Sequence, residues 1–431
     1  MRAVHSLIVV LAVSACSASD AESRLSSADS SAVTTARSAA SDSGEPAVVS
    51  TDPAHAPTPA PAPASSAPGT AAPGALSTSA SASGRLSPAD VAVVRGLYVN
   101  RWAAQSPARM RSLIAIADTT EINGFVIDLK DEFGLNYRSD DPKVSRNAGN
   151  SGAIPRLGPL LDTLHAHGIL PIARIVVFKD SVAARVNPDH TIRKPDGTPW
   201  RDKEGLMWVN PYDREIWEYN IRVAEEAVRL GFPEIQFDYI RFPEPYASLP
   251  KQVFPGADSL SKPKALAAFL KEACGRIQKL GGRCTADVFG LVTTVPGALE
   301  IGQSWESLAP VTDVLLPMVY PSHYPRGAFG IDRPNADPYT VIKLAITRAR
   351  ERNSAIGLPV AEQVRPWLQA FSLGQPPYEA HHVREQKRGV YDAGYDGWVL
   401  WHPGTKYEPF LAALEKELVS RKKSSSGGGT P

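Results

Sequence analysis

The sequence predicts an α/β chain folded as a (β/α)8 TIM barrel, preceded by a disordered Ser/Ala/Pro-rich tether. Between residues 88 and 418 short apolar runs alternate with amphipathic helical stretches, the pattern of βα units around a parallel sheet. Eight such runs occur, and eight parallel strands close into a barrel. An open, doubly wound sheet is the alternative. It should show a Gly-rich turn after the first strand, and "YVNRWAAQSP" has none.

The chain opens with "MRAVHSLIVVLAVSAC": a basic start, an apolar run too short to span a bilayer, and small residues before Cys16. Residues 1–15 read as an export signal. "VSAC" resembles the lipobox of bacterial lipoproteins, in which the cysteine is lipidated and becomes the new N-terminus. An ordinary signal peptide with a chance cysteine is the plainer alternative. Lipid chains on Cys16 would anchor the chain to the cell envelope, at the outer membrane or cell surface, without a spanning helix. Residues 16–87, with "APTPAPAPASSAPG" at their centre, lack the apolar periodicity needed for a core and read as a disordered tether.

The first strand, "RGLYVN" (95–100), leads to a helix opened by Ser106-Pro107, a cap and a first-turn proline. "GFVIDLK" (124–130) precedes a loop and a helix from about Pro155 to His167. "ILPIARIVVF" (169–178) is the third strand, followed by a long insert and the helix "DREIWEYNIRVAEEAVRLG". "EIQFDYIRFP" (234–243) is the fourth, then a helix near 262–279 and the fifth strand "CTADVFGL" (284–291). "DVLLPMVYP" (313–321) precedes a Gly/Pro loop and a helix from Pro338 to about Arg352. "AIGLPVAEQVRPWLQAF" (355–371) and "YDGWVLWHPG" (395–404) complete the set, and residues 419–431 read as a disordered tail. Cys274, on a helix, and Cys284, at a strand start, are either a disulfide or two buried thiols.

In a barrel, polar residues at the carboxyl ends of strands are catalytic candidates. Asp128 ends the second strand, Asp238 ends the fourth, and Asp287 lies on the fifth, with Arg174 within the third. Alternation puts Gln236 and Asp238 on one face and Phe237 and Tyr239 on the other. A lone Asp238 could equally be a structural ion pair with Arg174 or Arg241. Several acids ending different strands tilt the reading to function, because unpaired buried charge costs several kcal/mol. Tyr320 and His323 follow the sixth strand, Arg365, Trp367 and Gln369 share a face of the seventh, and Trp401 closes the eighth. Trp367, Trp398, Trp401, Tyr320 and Tyr324 offer flat faces for sugar rings, with core packing as the ordinary role and Trp398 the residue best suited to it. Two carboxyls flanking a glycosidic bond are the machinery of glycoside hydrolysis, and Asp238 and Asp287 are the natural pair.

Seven ordered motifs, "GFVIDLKDEFG", "ARIVVFKD", "WVNPYDREIWEYNIRVAEEAVRLGFPEIQFDYIRFP", "ADVFGL", "LPMVYPSHY", "VRPWLQAF" and "GWVLWHPGTKY", resemble the bacterial putative glycosyl hydrolase domain family over nearly all of 90–410. That family is a barrel distantly similar to α-amylase-type glycosidases. The resemblance implies that Asp238 is the nucleophile and Asp287 the acid, with Asp128 supporting them. The chain departs from the α-amylase pattern in having Asp in place of a longer Glu on the fifth strand. Its arginine, Arg241, follows Asp238 instead of preceding it, and the seventh strand offers Gln363, Arg365 and Gln369, with Glu362 nearby. Arg174, Arg241, Tyr320, His323, Arg365, Trp367 and Trp401 are the expected substrate-binding residues.

The 46 basic and 45 acidic residues leave a net charge of +1, so no bulk field attracts nucleic acid. No P-loop, dinucleotide fingerprint or HExxH occurs, so neither cofactor nor metal is expected. The HxH of His165 and His167 falls on a helix terminus and is expected to face solvent. Three other readings stand beside an enzyme acting as a monomer on a carbohydrate: a sugar-binding barrel without turnover, a metal-dependent hydrolase, and a structural envelope lipoprotein.

Overall fold

Eight parallel strands are the frame of this computed structural model, which describes residues 85–257, 260–359 and 363–416. The expected signal, Cys16, all but the end of the tether, the polar tail and Glu362 lie outside the described residues. The strands are β1 (Arg95–Val99), β2 (Gly124–Asp131), β3 (Leu170–Val176), β4 (Glu234–Asp238), β5 (Arg283–Phe289), β6 (Val314–Met318), β7 (Trp367–Gln369) and β8 (Trp398–Trp401). Each pairs in parallel with its sequence neighbours, and β1 pairs with both β2 and β8, which closes the barrel. A two-residue strand, Gly134–Leu135, adds to β2 in the antiparallel sense. Strands covered on both faces read as near-continuous apolar runs, and every residue of β2 and β3 is buried.

Six main helices surround the barrel: α1 (Pro107–Asp118), α2 (Leu157–Ala166), α3 (Arg214–Leu230), α4 (Lys262–Lys279), α5 (Pro338–Ala355) and α6 (Ala380–Asp392). Their starts follow local chemistry. Ser106 caps α1 by accepting from the Arg109 N–H, and Asp213 caps α3 from the Glu215 and Ile216 N–H groups. Gly231 ends α3 at φ 118°, a conformation that a side chain disfavours. Between β5 and β6 the helix shrinks to Trp305–Leu308, where the buried Trp305 donates to Asn353 at 2.7 Å.

Two apolar cores result. The outer one lies between barrel and helices, where Phe237 meets Phe269 of α4 at 5.5 Å between ring centres. The inner one fills the barrel with Val126, Leu170, Ile172, Val314, Leu316 and Val399. Leu86, Val91 and Val94 join it from the segment preceding β1, so that segment plugs the floor. Arg283 holds the plug by donating to the carbonyls of Pro88 and Val91 at 2.6 and 3.1 Å.

The floor also corrects one expectation. His165 does not face solvent: it is buried, its Nδ1 accepts the Leu86 N–H at 3.0 Å, and its Nε2 donates to the Gly231 carbonyl. Burial lowers its pKa, in keeping with that neutral tautomer. His167 is exposed and pairs with Asp118. No helix among the described residues is long and apolar enough to cross a membrane.

Cys274 and Cys284 form a disulfide that ties α4 to β5 across a sequence separation of 10. A loop of that size contributes about 2–3 kcal/mol through the unfolded chain. The Cys274→Ala/Cys284→Ala protein is therefore expected to lose that much in a urea titration while its native circular dichroism stays unchanged. An unaltered midpoint would show that the bond contributes nothing.

Candidate active site

Strand register brings the charged residues to one level. Asp128 on β2 aligns with Arg174 on β3, and Arg174 aligns with Gln236 on β4. Phe237 aligns with Ala286, so Asp238 and Asp287 are the next residues up on adjacent strands. Side chains at alternate positions point inward, which places Arg174, Gln236, Asp238 and Asp287 inside the barrel toward its C-terminal end.

Arg174 sits between two acids. Its Nε and Nη2 donate to Asp238 Oδ2 at 3.0 and 2.5 Å, and its Nη1 donates to Asp128 Oδ1 at 2.5 Å. The Tyr98 hydroxyl donates to the other Asp128 oxygen at 2.6 Å. Asp238 Oδ1 accepts the N–H of Tyr239 at 2.6 Å, and Tyr239 adopts φ 51° to present it. A non-glycine residue in the left-handed region carries strain, held here where the chain leaves β4.

Asp287 has a different environment. It is fully buried, it has no ion pair among the described residues, and its partners are neutral. Gln236 Nε2 donates to both of its oxygens at 2.9 and 3.0 Å, and Trp367 Nε1 donates to Oδ1 at 2.6 Å. Burial pushes its carboxyl well above the usual carboxylate range, and the negative charge of Asp238 adds to the shift. Arg174 and the two neutral donors oppose the shift without cancelling it. Burial also raises Asp128, against the pull of Arg174 and the Tyr98 hydroxyl.

Aromatic rings roof this group. Trp401 packs on Tyr98, Tyr320 and Phe371 with ring centres 6.0, 5.7 and 5.1 Å away, and Tyr98 meets Trp367 edge-on at 6.2 Å. Trp401 is the partly exposed member, so it presents the roof to solvent. His323 packs against Tyr320 and Phe371, and its Nδ1 meets Ser322 Oγ at 2.9 Å. Burial lowers its pKa to about 4, so near neutral pH it is an uncharged imidazole.

Of the residues singled out in the sequence, the barrel gathers Asp128, Asp238, Asp287, Arg174, Tyr320, Trp367 and Trp401, with His323 at the edge. Arg241 is elsewhere. It pairs with Glu244 at 3.0 Å and lies over the rings of Trp208, Tyr239 and Phe289, bracing the loop after β4. Arg365 is on the floor, where it donates to Glu234 at 2.6 Å. Tyr324 packs in the outer core beside Phe329, and Trp398 is a fully buried outer-core residue. Sequence reasoning missed Tyr98 and Phe371. Phe371 continues the alternation of 365, 367 and 369, a signal that would have found it. Among the described residues no group of three or more His, Cys, Asp or Glu is placed to hold a metal ion.

Replacing Arg174 by Met leaves two buried acids without their shared cation. The expected cost is about 3–5 kcal/mol. Adding Asp128→Asn should recover part of it, as read from denaturant midpoints. Equal stability of parent and Arg174→Met would refute the bridging role.

Residues 96–407 match the family described as "Putative glycosyl hydrolase domain". No curated protein matches the chain. Among solved structures, a hypothetical protein from Ruminiclostridium thermocellum is 35% identical, with 44% of this chain and 97% of that chain covered and a TM-score of 0.41. The glycoside hydrolase domain of PgaB (BpsB) from Bordetella bronchiseptica is 13% identical, covering 76% of this chain and 100% of that one at a TM-score of 0.55. An exo-β-N-acetylglucosaminidase from Vibrio harveyi, solved with N-acetylglucosamine, is 14% identical, covering 77% and 55% at a TM-score of 0.50. The latter two likenesses are likenesses of fold.

Proposed function

Because this chain belongs to the putative glycosyl hydrolase domain family, we propose that it cleaves glycosidic bonds in a poly- or oligosaccharide of the cell envelope or an exopolysaccharide. The observation that carries the site assignment is the asymmetry of the carboxyl pair. Asp238 is ion-paired to Arg174, whereas Asp287, one strand over, has only neutral partners and a strongly raised pKa. Two carboxyls whose environments push their protonation apart divide into an acid and a base or nucleophile.

In this reading Asp287, its pKa raised by burial, is the carboxyl that carries the proton. Oδ1 already accepts from Trp367 and Gln236, which leaves Oδ2 the less engaged oxygen to carry that proton toward the leaving glycosidic oxygen. Asp238, ion-paired to Arg174, faces the positive charge that develops at the anomeric carbon and attacks it or activates water. Asp128 balances the second face of Arg174. Trp401, the partly exposed ring of the roof, offers a surface for the sugar ring, with Tyr98 packed beneath it. Cys16, as a lipid carrier, and the Pro-rich tether after it would hold the barrel at the envelope surface.

A sugar-binding barrel without turnover is the second reading. The Arg174–Asp238 ion pair favours it, since the same contact suits a purely structural acid.

The test measures new reducing ends from a polysaccharide panel that starts with oligomers of N-acetylglucosamine. Release by the parent and roughly a 10²–10⁴-fold loss of kcat/KM in Asp287→Asn are expected, with Asp238→Asn at least as impaired. The parent's alkaline limb should lie above the usual carboxylate range, because activity needs Asp287 protonated and is lost as pH rises through its raised pKa. Binding without release, unchanged in both variants, would establish the second reading instead.

A further inference from the structure

The chain has eight tryptophans and twelve phenylalanines. Among the described residues, one of each stands out in solvent: Trp102 is 54% exposed and Phe133 38%. Both lie on the rim that carries the carboxyl pair. Trp102 follows the C-terminal end of β1 by three residues, and Phe133 follows the end of β2 by two. Those two strands also deliver Tyr98 and Asp128 to the roofed acids.

The two loops are clamped together under the rings. Arg101, next to Trp102, donates to Asp131 Oδ2 at 2.5 Å and to the Gly134 carbonyl at 2.8 Å. Asp131 Oδ1 in turn accepts the Phe133 N–H at 2.9 Å. Arg101 and Asp131 are both buried, and a buried ion pair serves registry better than stability. Gln105 adds a bond to Asn136 at 2.7 Å. Gly134 has φ 103°, and a Cβ there would lie 2.3 Å from the Ala148 carbonyl oxygen, so the turn beneath Phe133 is tightly seated. Both rings are therefore held in water by a rigid base.

We propose that Trp102 and Phe133 form a glycan-binding platform, engaging the part of a polysaccharide chain that runs outward from the barrel mouth over the β1 and β2 loops. Flat aromatic faces stack on the apolar faces of sugar rings, and a pre-ordered platform loses little freedom on binding. Continuity with the carboxyl site through β1 and β2 selects a glycan over a lipid surface or a second copy of the chain. The inference rests on the glycoside hydrolase reading and narrows the substrate to a polymer longer than the mouth can hold.

The test is affinity electrophoresis of the full chain carrying Asp287→Asn, which cannot trim the glycan. Native gels would contain glycol chitin, hydroxyethylcellulose, xylan, dextran, pullulan or alginate. The proposal expects retardation by at least one polymer. It expects about a tenfold weaker Kd when Trp102→Ala and Phe133→Ala are added, and no change for Leu373→Ala, another exposed apolar residue. Retardation by none of the six, or retardation indifferent to both substitutions, overturns it. So does concentration-dependent dimerisation, or binding to phosphatidylglycerol vesicles, that disappears with Trp102→Ala. Reducing-end release by the Asp287-containing parent is scored separately, so a failed platform and a failed catalytic reading remain distinguishable.

Discussion

The contact of Arg174 with Asp238 and Asp128 is the interaction on which the mouth of this barrel depends. Three strands must be in register for one guanidinium to span both acids, and their alignments set the level of every polar group above the inner core. A planar guanidinium suits this task because its donors diverge in fixed directions. By satisfying Asp238 and Asp128 it leaves Asp287 as the uncompensated acid, and burial then favours the protonated form. The chemistry proposed for the pair follows from where one cation sits.

The barrel interior separates its charges by height. At the floor, Glu234 is gripped by Arg365 and Arg283, and the segment before β1 closes that end. At the mouth, Arg174 stands among three acids, Asp128, Asp238 and Asp287. Between floor and mouth lie the aliphatic side chains of the inner core, with Gln236 and Thr285 as the polar residues of that level on β4 and β5. Surplus acid is thereby confined to the end of the barrel where loops and aromatic side chains can shape a binding surface.

Much of this was legible in the residues. Period-two alternation places Gln236 and Asp238 on the inward face and Phe237 on the outward face, and the helix cap at Ser106 follows from side-chain chemistry. The seventh strand is shorter than the run 355–371 suggests. Pro366 lacks an N–H, and the regular ladder is confined to Trp367–Gln369. The partner of Asp238 was uncertain for another reason. Arg241 is near in sequence, but a neighbouring strand supplies the arginine that meets the acid, and which arginine arrives is fixed by register between strands. The same applies to Tyr98, whose hydroxyl meets Asp128 across the β1–β2 pair, and to Arg365, whose face was readable although its depth was not.

The central claim is that burial among neutral partners, with the charge of Asp238 beside it, raises the pKa of Asp287. It is tested most directly by carbon NMR of the barrel labelled at the aspartate carboxyl carbons, titrated in the parent and in Asp287→Asn. The account predicts that the resonance lost in the variant ionises well above the ordinary value of about 4. It should move downward when Asp238→Asn removes the neighbouring charge. An Asp287 resonance that ionises with the surface carboxyls, indifferent to Asp238, would contradict the account.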